Sequence, residues 1–107
     1  MSTNDQYGTE VAHLNARAAA CRLGAVDSQL SLGFTLCAIA ETKIAYALYN
    51  EARKLVNKVR RHVETIRIRI DAPNHFPTIA IADLRQQLTQ LEKRTEKIES
   101  RLRQRLT

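Results

Sequence analysis

Apolar residues recur at intervals of three and four along most of this chain, which is the period of a helix that buries one face. Between residues 50 and 71 they fall on one side of such a helix, and basic residues lie on the other side. These apolar positions are Ala52, Leu55, Val56, Val59, Val63, Ile66 and Ile70. The pattern predicts an amphipathic helix over 50–71, which ends before Pro73 because proline disfavours helical geometry at the preceding residue.

The end of this helix carries the letters IRIRI at residues 66–70, an alternation that resembles a strand. The helical phase set by Val63 nevertheless runs through these residues, and no turn signal interrupts it. We therefore predict a last helical turn, with Ile66 and Ile70 facing inward and Ile68 facing outward.

Residues 77–106 carry the most regular apolar pattern of the chain, with spacings of three and four that match a coiled-coil heptad. Its positions are Ile81, Leu84, Leu88, Leu91, Thr95, Ile98 and Leu102. At about 1.5 Å per residue such a helix reaches roughly 45 Å. Because it is longer than the helix before it, we expect its C-terminal end to project beyond the bundle.

The first half of the chain predicts a helix or a helix pair over 9–47, after a frayed arm of residues 1–8. Its early apolar positions, which we expect to pack against another helix, are Val11, Leu14, Ala18 and Cys21. Gly24 leaves two alternatives open: a kink or break, or a continuous helix, since an interior glycine costs only about 1 kcal/mol.

These elements together predict an all-α fold, an elongated antiparallel bundle of three helices in one domain of 107 residues. The composition agrees with this prediction, because only 3 Gly and 2 Pro interrupt a chain that is rich in helix-forming residues. A tight hairpin near residue 48 should join the first two helices.

Small and apolar residues surround this hairpin in a recognisable order. Ile39 and Ala40 are followed by Ala47 at the turn, Ala52 on the next helix, and then Val56 and Val59. The segment of about 33–63 thereby resembles a single tetratricopeptide-type helix-turn-helix repeat, with Ala47 where that family has a glycine. The resemblance implies a protein-interaction scaffold, and it implies no particular binding residues.

Charge is divided unevenly along the chain, which has a net charge of +6. Residues 1–50 carry three basic and four acidic side chains, whereas residues 51–107 carry fourteen and seven. A basic ridge on the second helix, a candidate surface for a polyanion, consists of Lys54, Lys58, Arg61 and Arg69. Such a ridge can neutralise phosphates, but it lacks aromatic residues for base stacking.

The third helix offers a candidate seam for self-association. Leu91, Ile98 and Leu102 lie on it, and Arg94 and Glu99 fall at the g and e positions that a parallel two-stranded coil brings together. The alternative is that the same seam packs inside the monomer, against the apolar face that ends at Ile70. Both uses are compatible, one at each end of the helix.

Catalytic and metal-binding patterns are absent from the sequence. The three histidines, His13, His62 and His75, are far apart, and neither cysteine has a ligand at zinc-site spacing. Glu41 is expected to be a solvated residue. We therefore predict no enzyme activity, no cofactor and no metal.

The sequence also bears on location. The longest uncharged stretch, residues 28–40, is shorter than the roughly 20 apolar residues that span a bilayer, and no secretory signal pattern begins the chain. We expect a cytoplasmic protein with reduced cysteines and no membrane segment.

The function that these features favour is a helical protein-interaction or assembly module that forms a homodimer or binds another helical protein. The alternative is a small basic protein that binds nucleic acid without sequence specificity.

Overall fold

The computed structural model describes residues 3–72 and 76–106, with side chains described for 8–72 and 76–105. Three helices, α1 (Thr3–Ala45), α2 (Tyr49–Asp71) and α3 (Thr78–Leu106), make up this part of the chain, and it contains no strand. α2 runs antiparallel to α1, α3 runs back alongside both, and every pair of helices packs together. The molecule measures 73 × 19 × 16 Å. The predicted all-α, elongated three-helix fold is confirmed.

The inward face of α2 follows the predicted phase to its end. Ile66 and Ile70 are 0% and 3% exposed, whereas Ile68 is 62% exposed. The IRIRI segment is therefore the last part of an amphipathic helix. Of the turn expected after it, Pro73 and His75 lie outside the described residues.

The connection between α1 and α2 is a compact helix end. The backbone N–H of Leu48 donates to the carbonyl of Lys43 at 2.8 Å, and that of Ala47 donates to Ile44 at 2.9 Å. These two bonds form a Schellman motif, which requires a left-handed residue at its turn. Ala47 takes that conformation, with φ of 59°. The chain thus reverses within three residues.

Helix α1 is longer than predicted at its N-terminus and is not divided. It begins at Thr3, so the expected frayed arm over 1–8 is wrong from Thr3 onward, while Met1 and Ser2 lie outside the described residues. It continues through Gly24 without a break. The burial of Val26 and Leu30 just beyond Gly24 explains this, because their packing outweighs the modest helical penalty of one glycine.

The packed face of α1 also differs from the prediction. Val11 and Leu14 are 54% and 60% exposed, and Ala18 and Cys21 are exposed as well. The inner face instead begins at Ala19 and follows a second three-and-four spacing: Ala19, Leu23, Val26, Leu30, Gly33, Cys37, Ala40 and Ile44. Within the monomer the expectation is wrong, because two apolar stripes run along this helix and only the second meets α2 and α3.

The alignment of α3 with α1 determines which helix end projects beyond the bundle, and it is the start of α1, not the C-terminal end of α3. Leu91 lies against Gly33, and Thr95 lies beside Cys37, with 3.7 Å between the hydroxyl oxygen and the sulfur. With this alignment Leu102 is still buried, so the predicted C-terminal overhang of α3 is wrong. The projecting segment is the start of α1, where residues 8–18 are all exposed.

Candidate interaction surface on helix α1

The predicted association seam on α3 is occupied within the monomer. Leu91, Ile98 and Leu102 are 0%, 1% and 4% exposed, because they pack against α1 and α2. The structure agrees with the alternative, in which the heptad seam of α3 packs inside the monomer. An interchain seam at these residues would have to displace α1 and α2, which already cover them.

The two charged residues predicted to pair across a dimer have partners in their own chain. Arg94 donates to Glu41 of α1 through Nε at 2.9 Å and through Nη2, and Arg60 of α2 donates to Glu99 through Nε at 3.3 Å and through Nη2. The hydrogen bond to Glu99 raises the pKa of the Arg60 guanidinium. These pairs tie α3 to both neighbours, and Glu41 is a half-buried member of one pair, not the solvated residue we expected.

The predicted basic ridge lies on the surface of α2. Lys54, Lys58, Arg61 and Arg69 are all exposed. Arg69 donates to the side chain of Gln29 at 2.8 Å, whereas the other three form no ion pair within the described part of the chain. The ridge is therefore three cations at helical spacing, with a fourth hydrogen-bonded to α1.

A different surface collects most of the exposed apolar side chains. Positions spaced by three and four along one side of α1, together with Tyr46 in the turn that follows it, are all exposed, and none is charged. We call this set the outer stripe: Val11, Leu14, Ala18, Cys21, Ala25, Ser28, Leu32, Thr35, Ile39, Thr42 and Tyr46. Five of the large hydrophobic residues that the bundle leaves exposed belong to it: Val11, Leu14, Leu32, Ile39 and Tyr46. The outer stripe lies nearly opposite the packed face of the helix.

The threonines of the outer stripe are compatible with an apolar contact. The Thr35 hydroxyl donates to the carbonyl of Ser31 at 3.0 Å, and the Thr42 hydroxyl donates to that of Ala38 at 3.1 Å. Each threonine hydroxyl therefore already donates a hydrogen bond within α1. A partner that covers these two hydroxyl groups would not leave either of them without a hydrogen bond.

The outer stripe is large for a surface of a small domain. From Val11 to Tyr46 it extends about 52 Å at 1.5 Å per residue, and with a width of about 10 Å it covers roughly 500 Å². The largest apolar patch on a typical monomer is about 300–600 Å² and is often functional. Two such surfaces together bury about 1,000 Å², the lower size of a specific interface.

The two apolar faces make α1 unusual in overall hydropathy. The stretch Gly8–Ala45 is long and apolar enough to cross a membrane by length and composition, with 33% of its most apolar window buried in the bundle. Core helices of soluble proteins pass the same test, so this property alone is weak support for a membrane span.

Groups that carry catalytic chemistry are dispersed. His13 is exposed on α1 and His62 is half-buried on α2, while His75 lies outside the described residues. Burial raises the pKa of the Cys37 thiol, so this cysteine is held in its unreactive form. Among the described residues no group of three or more His, Cys, Asp or Glu side chains is placed to hold a metal ion.

One cleft of about 390 Å³ lies beside the end of α2. It is lined by Cys21, Arg22, Ala25, Val26, Arg69, Ala72 and Phe76. Its walls are mainly apolar, and its charged groups are both guanidinium groups. It therefore offers neither a general base nor a nucleophile paired with one.

Comparisons of this chain with protein-family models, with curated proteins and with solved structures find no match.

The first part of the outer stripe is evident in the sequence, where its spacing predicts a buried face. The predicted stripe contains Val11, Leu14, Ala18 and Cys21, whereas the exposed stripe continues at the same spacing through Leu32 and Ile39. Neither face of α1 carries a charged residue along its stripe, so the sequence alone does not distinguish the packed face from the exposed one. A helix that is apolar on two sides and packed on only one leaves its second side open to a further contact.

Proposed function

We propose that this chain is a helical assembly module, without catalytic activity of its own, that self-associates through the outer stripe of α1. The observation that carries this proposal is the stripe itself: an exposed, uncharged heptad surface along a helix whose opposite face is already packed. A heptad stripe matches the geometry by which another helix packs side by side.

The distribution of charge supports a second copy as the partner. The net charge of +6 arises from residues 51–107, whereas α1 is nearly neutral over its described side chains. Docking through α1 keeps the basic faces of α2 and α3 on the outside of the assembly and far from one another. Docking through α2 or α3 would bring like charges together, which disfavours association.

A lipid bilayer fits the outer stripe less well than a second helix does. The inner face of α1 packs against α2 and α3, and Glu41 of α1 pairs with Arg94. Burying α1 across a bilayer would separate these helices and leave charged groups in hydrocarbon, which is unfavourable by several kcal/mol for each group. A second copy covers the stripe and leaves the bundle intact.

The test is the mass of the protein in solution, measured by sedimentation velocity at about 1 to 100 μM. We expect a dimer for the native chain and a monomer for Leu32→Glu and Ile39→Glu. An unpaired charge buried in an interface costs about 3–5 kcal/mol, which weakens the association at least 100-fold. Ile79→Glu is the matched control, because Ile79 is 86% exposed and lies on α3, outside the stripe. It should remain dimeric.

Two results would contradict the proposal. One is a native chain that stays monomeric at every concentration, and the other is a stripe variant that dimerises as tightly as the native chain. Flotation with phosphatidylcholine vesicles separates the lipid alternative: a monomer that floats with the vesicles would show that the stripe faces lipid. Circular dichroism should show unchanged helix content in Ile79→Glu.

The second candidate function is binding to nucleic acid, which is favoured by Lys54, Lys58 and Arg61, three cations that form no ion pair with any described residue. Retention on duplex DNA at about 50 mM salt tests it, because the electrostatic attraction is strongest at low salt. Changing the three residues to glutamine should abolish retention, whereas changing the exposed Lys93 and Lys97 to glutamine should reduce it less. No retention of the native chain would end this hypothesis. The likeness of residues 33–63 to a tetratricopeptide-type repeat stays a prediction.

A further inference from the structure

The projecting start of α1 and the charges beside the outer stripe favour one relative direction and register of the two α1 helices in a dimer. We infer that the second copy docks antiparallel, so that the exposed first turns of each α1 lie on the bundled half of its partner's α1. This inference rests on the proposed self-association and adds its direction and register.

The first argument is electrostatic. With Val11 at position a and Leu14 at position d of a heptad, Arg17 falls at g and Arg22 falls at the following e. A parallel pair of helices places each g beside the next e of its partner. A parallel dimer would therefore set Arg17 beside Arg22 of the partner subunit, twice by symmetry, and these like charges disfavour it.

The antiparallel arrangement avoids this contact. In an antiparallel pair the g positions face g positions and the e positions face e positions. When the two stripes overlap from Val11 to Thr42, Arg17 lies across from Ala38 of the partner subunit and Arg22 lies across from Gln29 of the partner subunit. No pair of like charges arises along the two flanks.

The same register matches the side chains of the stripe. Leu14 lies across from Ile39 of the partner subunit, Cys21 from Leu32 of the partner subunit, and Ala25 from Ser28 of the partner subunit. The small residues thus meet at the centre, where the two-fold axis passes, and allow close approach of the helices. Larger side chains meet toward both ends.

The second argument concerns the support of the projecting segment. Residues 8–18 are exposed, and Ala19 is the first buried residue of α1. A parallel dimer would pair this segment with its equally unsupported copy. An antiparallel dimer lays it against a helix that α2 and α3 already hold in place, which stabilises a segment too short to be firmly helical alone.

The experiment measures the distance between spin labels in the dimer. Asn15→Cys in a Cys21→Ser background carries the label, because Asn15 is exposed and lies beside the stripe. Cys37 is 0% exposed and should not react, which the Cys21→Ser variant alone verifies. The inferred register separates the two labels by about 35 Å along the axis, whereas a parallel dimer holds them at about 10–20 Å.

Disulfide formation is the second measurement. In the inferred register the two Cys21 residues are about 16 Å apart along the axis, beyond disulfide reach, so the native chain should not cross-link. Leu32→Cys should cross-link through Cys21 of the partner subunit, and adding Cys21→Ser should abolish this product.

Each outcome decides a separate point. A long label distance with the Leu32→Cys cross-link supports the inference. A short distance, or a disulfide between two Cys21 residues in the native chain, overturns the inferred antiparallel arrangement but leaves self-association standing. A long distance without the cross-link overturns the register. A labelled protein that is monomeric, with a monomeric native chain, overturns the proposed function and this inference with it.

Discussion

Two glycines of α1 should respond in opposite ways to alanine, because only one of them faces another helix. At Gly24 no heavy atom lies within 4 Å of the position that a Cβ would take. At Gly33 the same atom would lie 2.7 Å from Cδ2 of Leu91. Leu91 is 0% exposed, so its side chain has no solvent to move into.

The magnitudes follow from these surroundings. Alanine gains about 1 kcal/mol over glycine inside a helix, so Gly24→Ala should raise the free energy of unfolding by about that amount. Gly33→Ala makes the same gain, but overpacking of a filled core costs about 1–3 kcal/mol. We expect Gly33→Ala to be about 1–3 kcal/mol less stable than Gly24→Ala.

Urea denaturation followed by circular dichroism measures both variants. The double variant Gly33→Ala with Leu91→Val supplies the control, since the shorter side chain makes room for the new methyl group. The loss caused by Gly33→Ala should therefore be smaller in that background. Equal stabilisation by the two alanine substitutions would refute the close approach of Leu91 to α1 at Gly33.

Three further predictions concern the turn, the buried thiol and an interhelical ion pair. Ala47→Gly should raise the free energy of unfolding by about 0.5–1 kcal/mol, because Ala47 is left-handed at φ of 59°, and equal or lower stability in urea would contradict this. Cys37 should react with a thiol reagent only on unfolding, whereas the exposed Cys21 should react at once in the dissociated chain and more slowly in the dimer, which covers the outer stripe. Since burial raises the pKa of Cys37, the unfolded thiol ionises first, and stability should fall as pH rises above about 8.5. Cys37→Ala should remove that slope. Glu41→Gln should cost under about 1 kcal/mol at low salt and less at high salt, because the pair with Arg94 is 37% exposed on both sides.

The helix phases of α2 and α3 could be predicted from sequence because each of these helices has one apolar face. Ile68 illustrates this for α2: the phase set by Val63 placed it outward, and it is exposed. On α3, the leucines and isoleucines form a single seam, so the sequence predicts only one buried face for this helix. The seam could not reveal whether its partner was the same chain, because a heptad pattern is the same in both cases.

Helix α1 could not be assigned in the same way. Its two apolar stripes interleave, so spacing alone does not say which one meets the bundle. The answer depends on where α2 and α3 end, and therefore on the register that Leu91 and Thr95 adopt against Gly33 and Cys37. Such a register is a property of three packed helices, and no single stretch of sequence encodes it. Only the contacts of the inner stripe show that the outer stripe is the face left exposed.

The first turns of α1 also link helix content to protein concentration. A helix draws most of its stability from tertiary packing, and these turns are exposed on every described side chain from Gly8 to Ala18. In an antiparallel dimer the partner would supply that packing. Dilution below the dissociation constant would then lower the ellipticity at the helix band, while the bundle from Ala19 onward stays folded. On dilution the helical ellipticity would therefore fall part of the way and then stay constant. The part that is lost belongs to the first turns of α1, and the constant part belongs to the bundle.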